Sequence, residues 1–224
     1  MEKLISFFKE LADNNEKPWF DANKKRWLEI KAEYDVFAQR LIDGLAVLDP
    51  QTKGVTVKDC TYRIYRDVRF SPNKLPYKTH IGIYVCPKGK KSGHSGYYFH
   101  IEPFTDTYFI YAGLHLPQPE VIKSVREEVM LNGKGVDDAF QACVRAGYEI
   151  HTEGMLRKVP RGWNPDDPYS FYYRMKDFGV VKNLTEKDVL SENLVENLLS
   201  EFAVTVPLNN LLNRAFDYAY ENLG

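Results

Sequence analysis

The sequence is short of several things, and each shortage removes a class of protein. Its 224 residues contain no apolar run approaching the roughly 20 residues that a membrane-spanning helix needs, so a helical membrane protein is excluded. Cysteine is scarce: Cys60, Cys86 and Cys143 stand far apart with no C-x-x-C pair, which fits a reduced compartment better than a secreted disulfide scaffold. An excess of one charge is missing too, since 30 Lys plus Arg face 31 Asp plus Glu, and with 44% hydrophobic and 14% aromatic residues a disordered acidic or basic tail is ruled out. The start, MEKLISFFKELADNN, lacks the unbroken apolar core of a signal peptide because Glu2, Lys3, Lys9 and Glu10 interrupt it. A cytoplasmic protein is expected. There is no internal repeat or heptad array, no two-glycine phosphate loop ending in K-[ST], no G-x-S-x-G elbow, and no G-x-G-x-x-G after a strand.

What is there is an uneven distribution of charge. Between Lys53 and Lys91 ten Lys or Arg face two acids, Asp59 and Asp67, a local charge of +8, which leaves −9 for the remainder and recovers the total of −1. Such segregation implies either an anion-facing surface or basic side chains neutralised by acids elsewhere in the fold. The last forty residues offer such acids, among them Glu186, Glu192, Glu196, Glu201, Asp217 and Glu221.

Apolar spacing predicts two helices in the first fifty residues, one carrying Leu4, Phe7, Phe8 and Leu11, the other Trp27, Ile30, Tyr34, Phe37, Leu41 and Leu45. Asp13-Asn14-Asn15 breaks the first, Pro18 suits the start of the second, and Asp49-Pro50 ends it. From Val55 to Gly113 the period changes to two, and TYRIYRDVRF, IGIYVC, GYYFHIE and TYFIYAG read as strands of an antiparallel meander. The connection PKGKKSGHSG reads as a loop too polar to pack and long enough to move. Helices are expected over 119–131 and 136–146, divided at Asn132-Gly133, then a small hairpin in YEIHTEGMLRKV, an irregular PRGWNPDDP, and two closing helices separated near Pro207. The fold class is α+β: a central antiparallel sheet at about residues 55–113, flanked by N-terminal and C-terminal helices. Residues 1–224 are read as a single domain, with a helical subdomain from about residue 117 as the alternative.

Alternation along a strand would put Arg63, Tyr65, Asp67 and Arg69 on one face and Tyr62, Ile64, Arg66, Val68 and Phe70 on the other. Two guanidinium groups flanking a carboxylate either form an ion-pair ladder or leave one fork free for a bidentate anion. In GYYFHIE the residues Tyr98, His100 and Glu102 share a face, and His80 lies at the mouth of the preceding strand. A zinc site wants three or four ligands, and this H-x-E supplies two, with only His80 or His115 to recruit and no spacing signature. No metal is therefore assigned, and a structural histidine bonded to a neighbouring strand is the favoured reading. The cysteines sit in apolar patterns and read as inert core thiols. Eight of the fifteen tyrosines fall between Tyr62 and Tyr111, interleaved with cations, a combination that also serves nucleic-acid binding, although no RNP-type motif is present.

The combined strings NNEKPWFDANKKRW, RIYRDVRFSPNKLPYKTH, GYYFHIEP, AGLHLPQPE and RKVPRGWNPDDP resemble the bacterial family called domain of unknown function 2461, nearly end to end. After the P-R-G triplet this chain has Trp163 where the family usually shows a Tyr. The resemblance implies a cytosolic α+β protein and assigns no substrate, cofactor or catalytic residue. On the residues themselves, the leading expectation is a domain, enzymatic or not, that holds a small phosphate- or carboxylate-bearing ligand between Arg63, Arg69, Lys74 and Lys78, with His80, His100 and Glu102 nearby. Arg161, beside Arg157 and Lys158, forms a second basic patch for the same site. The alternative is a non-enzymatic nucleic-acid or protein interaction module using the same basic face. No cofactor and no membrane partner are expected, and the oligomeric state is not specified.

Overall fold

The computed structural model describes residues 1–69 and 71–221 of the chain. Helix α1 (Glu2–Asp13) turns Leu4, Ile5, Phe7, Phe8 and Leu11 inward, and α2 (Lys17–Leu48) does the same with Phe20, Trp27, Ile30, Tyr34, Ala38, Leu41 and Leu45. Between them Asn14 closes α1 by donating its side-chain amide to the Glu10 carbonyl at 2.9 Å, and Pro18 occupies the first turn of α2, where a missing N–H costs nothing. Both expected helices, with their break and their start, are therefore present.

A five-stranded antiparallel sheet comes next: β1 (Ile81–Val85), β2 (Gly96–Glu102), β3 (Thr107–Leu114), β4 (Glu149–Ile150) and β5 (Phe178–Leu184), in spatial order β1-β2-β3-β5-β4. Helices flank it in sequence on both sides, which makes the chain α+β. The sheet departs from the expected limits at each end. Residues 55–80 add no strand to it: a short α3 (Val57–Cys60) is succeeded by an irregular segment joined by isolated bridges, Thr61 with Ile83 and Tyr65 with Tyr77. Pro72 and Pro76 explain this, because they remove ladder donors from the returning arm, which closes on the outgoing one through Arg66 N–H to the Pro76 carbonyl and Lys78 N–H to the Ile64 carbonyl. The strict alternation expected for Arg63, Asp67 and Arg69 is lost with the strand, and Phe70 lies outside the described residues.

At the other end the sheet recruits chain far beyond Gly113. The hairpin expected in YEIHTEGMLRKV is replaced by β4 alone, which pairs with β5, a strand that local sequence patterns do not announce. The helices expected on either side of Asn132-Gly133 are present, running on as α4 (Pro119–Arg145) and divided by a kink where Asn132 takes the non-helical φ −139° and ψ 42°. Gly133, beside the kink, also serves contact: a Cβ would stand 2.1 Å from the ring of Tyr169, which leads into α5 (Ser170–Tyr173). A Thr185–Asp188 capping box starts α6 (Glu186–Val189), and α7 (Leu194–Ala203) and α8 (Val206–Glu221) complete the chain, with Pro207 in the first turn of α8.

One sheet face carries the core. Phe99 meets Phe37 of α2 with ring centroids 5.9 Å apart, Tyr97 meets Phe202 of α7 at 5.4 Å, and the Tyr97 hydroxyl donates to buried Asp49 at 2.8 Å. The other face presents Tyr84, Tyr98, Tyr111, His100 and Phe109, and residues 61–69 and 71–80 lie at its β1 margin. That segment is tied down by Asn15. Its amide donates to the Tyr77 carbonyl and its carbonyl accepts from the Tyr77 N–H, both at 3.0 Å, while the Tyr77 ring stacks on Phe20 at 4.1 Å. We expect Asn15→Ala to cost about 1–3 kcal/mol in chemical denaturation and to expose residues 61–80 to limited proteolysis. Asn15→Asp, which keeps the acceptor and loses the donor, should also lower stability; unchanged midpoints for both would show that the bracket is dispensable.

Candidate ligand-binding cleft

Antiparallel register assembles the exposed sheet face row by row. One row runs Tyr84, Tyr98, Tyr111, Val181 across β1, β2, β3 and β5, and the next runs Gly82, His100, Phe109, Asn183. Glycines make room for two of the rings: a Cβ on Gly82 would meet the Tyr98 hydroxyl at 2.5 Å, and one on Gly179 would meet the Tyr111 hydroxyl at 2.2 Å. The hydroxyls are already engaged, Tyr84 donating to the His94 carbonyl at 2.7 Å, Tyr111 to the Leu114 carbonyl at 2.8 Å, and Tyr98 meeting His100 Nδ1 at 2.9 Å. Burial raises the pKa of all three phenols, so they present neutral ring surface.

Above this floor lies a cavity of about 810 Å³, lined also by Arg63, Lys78 and Lys90 and by four of the chain's five histidines. The fifth, His100, is 8% exposed and stacks between Phe109, at 4.5 Å, and His80, at 5.2 Å. Glu102 faces both imidazoles, 3.9 Å from His80 Nδ1 and 3.7 Å from His100 Nε2, and accepts from Thr79 Oγ1 at 2.8 Å. Burial first, and the adjacent His80 second, hold His100 down to a pKa of about 4, against the smaller pull of Glu102. His80 is lowered for the same leading reason, burial, with Lys78 and Arg66 adding to it. Burial and the neighbouring Arg63 also lower Lys78, whose ammonium lies 5.2 Å from the Tyr62 ring centroid; Lys90 lies 5.6 Å from the same ring.

The expected site residues divide. Arg63, Lys78 and His80 line the cavity, and His100 and Glu102 sit beside them in the His80 network. Arg69 instead forms a two-pronged pair with Asp67, at 2.9 and 2.6 Å, and Lys74 donates to the Val68 carbonyl, both on exposed turns away from the cavity lining. Arg161 is exposed on the 151–169 loop and does not reach the lining, so the second basic patch does not join the first. Neutralisation by the C-terminal acids fails as well: Glu186, Glu196 and Glu201 pair with Lys9, Arg40 and Lys182, all outside the basic segment. The three cysteines are buried free thiols, and burial pushes Cys60 up to about 12 and Cys86 and Cys143 up to about 11, which suits inert core positions.

Sequence reasoning missed the far end of the cleft. His151, Glu153 and Asp177 enter the lining through β4 and β5, and with those strands unrecognised no local spacing could connect them to His115. The polar loop 86–95 was expected to move, yet it is clamped: Ser95 bonds Asn213 and Asn209 of α8, and the buried His94 ring lies 4.1 Å from Phe216. Among the described residues, no group of three His, Cys, Asp or Glu side chains is placed to hold a metal ion, and no helix is long and apolar enough to cross a membrane.

These features define an α+β protein whose antiparallel sheet has helices packed on one face and a histidine- and tyrosine-lined cleft on the other. Residues 3–210 match the family described as conserved hypothetical protein (DUF2461), and the chain belongs to it. No curated protein and no solved structure matches.

The His100 environment sets a pH dependence. Its folded pKa of about 4 lies below the ordinary 6.5, so the unfolded chain binds the proton more readily and stability is lost as pH falls through 6.5 towards 4. His100 should account for about 2–3 kcal/mol of that loss. In urea denaturation at about pH 7 and pH 5, His100→Gln should lose distinctly less stability than the native chain; parallel losses would overturn this assignment.

Proposed function

We propose that the cleft binds a small anionic ligand, a phosphate- or carboxylate-bearing molecule, with Arg63, Lys78 and Lys90 taking its charge. The observation that carries this reading is Arg63: its guanidinium is exposed, borders the cavity, and makes no hydrogen bond or close ion pair with any described residue, its one acidic neighbour, Asp67, being bonded to Arg69 and feeling Arg63 only as a minor influence. Lys78 stands beside it, its proton affinity lowered by burial first and by the like charge of Arg63 second, an arrangement that an anion would relieve. The tyrosine rows supply flat apolar surface for the organic part of such a ligand. We take the protein to be bacterial and cytoplasmic, the location being supported by three free, buried thiols.

One observation favours the alternative of a nucleic-acid interaction module. The Tyr62 ring, 37% exposed, lies within reach of both the Lys78 and Lys90 ammonium groups, so a stacked base and a neutralised phosphate could be met together. The concave lining and the grouping of cations at one margin favour the small ligand.

Thermal melts in inorganic phosphate and phenyl phosphate test the proposal. The native melting midpoint should rise with ligand concentration, and Arg63→Ala, an exposed change that leaves the unliganded midpoint nearly unaltered, should weaken binding about 10- to 100-fold. Arg69→Ala should retain native binding. Equal shifts in the native chain and Arg63→Ala would refute the assignment, and steeply salt-dependent binding of single-stranded oligonucleotides in place of phenyl phosphate would favour the alternative.

A further inference from the structure

The cavity has a second pole of opposite sign. Asp177, 7% exposed, precedes β5; its Oδ1 accepts the Leu116 N–H, while its Oδ2 faces the imidazoles of His115, at 3.4 Å, and His151, at 3.7 Å. Those separations exceed good hydrogen-bond lengths, so a carboxylate oxygen of a nearly buried side chain keeps spare acceptor capacity towards the cavity. Glu153, exposed on the loop after β4, joins the same lining and forms no ion pair among the described residues. The Lys and Arg side chains of the lining, Arg63, Lys78 and Lys90, all lie on the β1 side. The far pole thus brings two carboxyl side chains and two imidazoles to the lining, and no Lys or Arg among the described residues.

Resting on the reading of the cleft as an anion site, we propose that its ligand is dipolar: anionic where it meets Arg63 and Lys78, flat or apolar across the tyrosine row, and bearing an amine that reaches Asp177 and Glu153. Strand order sets the scale. The cationic margin lies at β1 and the acidic one at β5, three strand spacings apart, or roughly 14 Å at 4.7–4.9 Å per strand before any offset along the strands. Asp177 is buried with only imidazoles facing its Oδ2, and a ligand ammonium would supply a full cationic partner there. The rings of His115 and His151 stand edge-on to Tyr111, at 6.3 and 5.7 Å, so this pole also offers an aromatic wall that suits an ammonium group.

The test is calorimetric titration with 4-(ω-aminoalkyl)phenyl phosphates of increasing chain length, each against the 4-alkylphenyl phosphate of matched length. Long aminoalkyl chains should bind about tenfold or more tightly than their matched alkyl partners, and short ones should gain nothing. Glu153→Gln, an exposed change that leaves the fold alone, should reduce the gain, and Asp177→Asn should abolish it, while phenyl phosphate binding persists in both. If aryl phosphates bind but the amine adds nothing at any length, or if the gain survives both substitutions, the dipolar inference is overturned and the anion site stands. If no aryl phosphate binds and Arg63→Ala behaves like the native chain, both fall.

Discussion

The pairing register of β1, β2, β3 and β5 decides where every group of the cleft ends up. Neighbouring residues on a strand point to opposite faces, so a slip of one position in β2 would send Tyr98 and His100 into the helical core and turn Phe99 and Ile101 outward. The register is held by core residues that tolerate no exchange: Phe99 against Phe37, Tyr97 against Phe202 with its hydroxyl on Asp49. Polar chemistry on one face is thus specified by hydrophobic packing on the other. The glycines facing Tyr98 and Tyr111 reinforce the arrangement, because each ring lies flat only where its cross-strand neighbour has no side chain.

Electrostatics on the cleft face depend on which groups go unpaired. The chain has enough acids to neutralise its basic segment, but the fold distributes them elsewhere, to Lys9, Arg40 and Lys182. Within the segment, Asp67 hydrogen-bonds Arg69 and feels Arg63 only at longer range, as a minor influence on its pKa. Concentrating like charge at Lys78 and Arg63 works against folding, most at the partly buried Lys78, and it persists at the margin of a cavity.

Much of the framework was legible in the sequence. The stripes of α1 and α2, the break at Asn14 and Asn15, Pro18 in the first turn of α2, and the two-residue period of β1, β2 and β3 all express local rules, and the structure obeys them. In the cleft the two-residue period put Tyr98, His100 and Glu102 on one face, as β2 does, whereas Arg63 and Lys78 reach the lining from an irregular segment that strand alternation does not describe. The illegible part was set by distant partners. Asn15, which has the chemistry of a helix cap, spends both halves of its amide on Tyr77, sixty-two residues away. TYRIYRDVRF has strand composition, but the prolines of the arm returning to it deny it a ladder. Asp177-Phe178-Gly179 resembles a turn, and only pairing with β3 makes a strand of Phe178–Leu184, so the acidic pole stayed hidden with it.

Loop 86–95 carries Lys90 into the cavity lining; its Lys90 backbone N–H on the Asp59 carbonyl and the two buried Asn side chains of α8 hold it from two directions, and its Ser92 hydroxyl braces it internally on the Pro87 carbonyl. A hinged flap would have to be ordered each time a guest arrived, and that entropy would be subtracted from affinity. Here the ordering is completed during folding, so the aperture has a preset width. For the proposed ligand, discrimination would then fall to the outline of the slot: a molecule too broad for it would be turned away at the rim, and one that fits would be held without any part of the wall having to close.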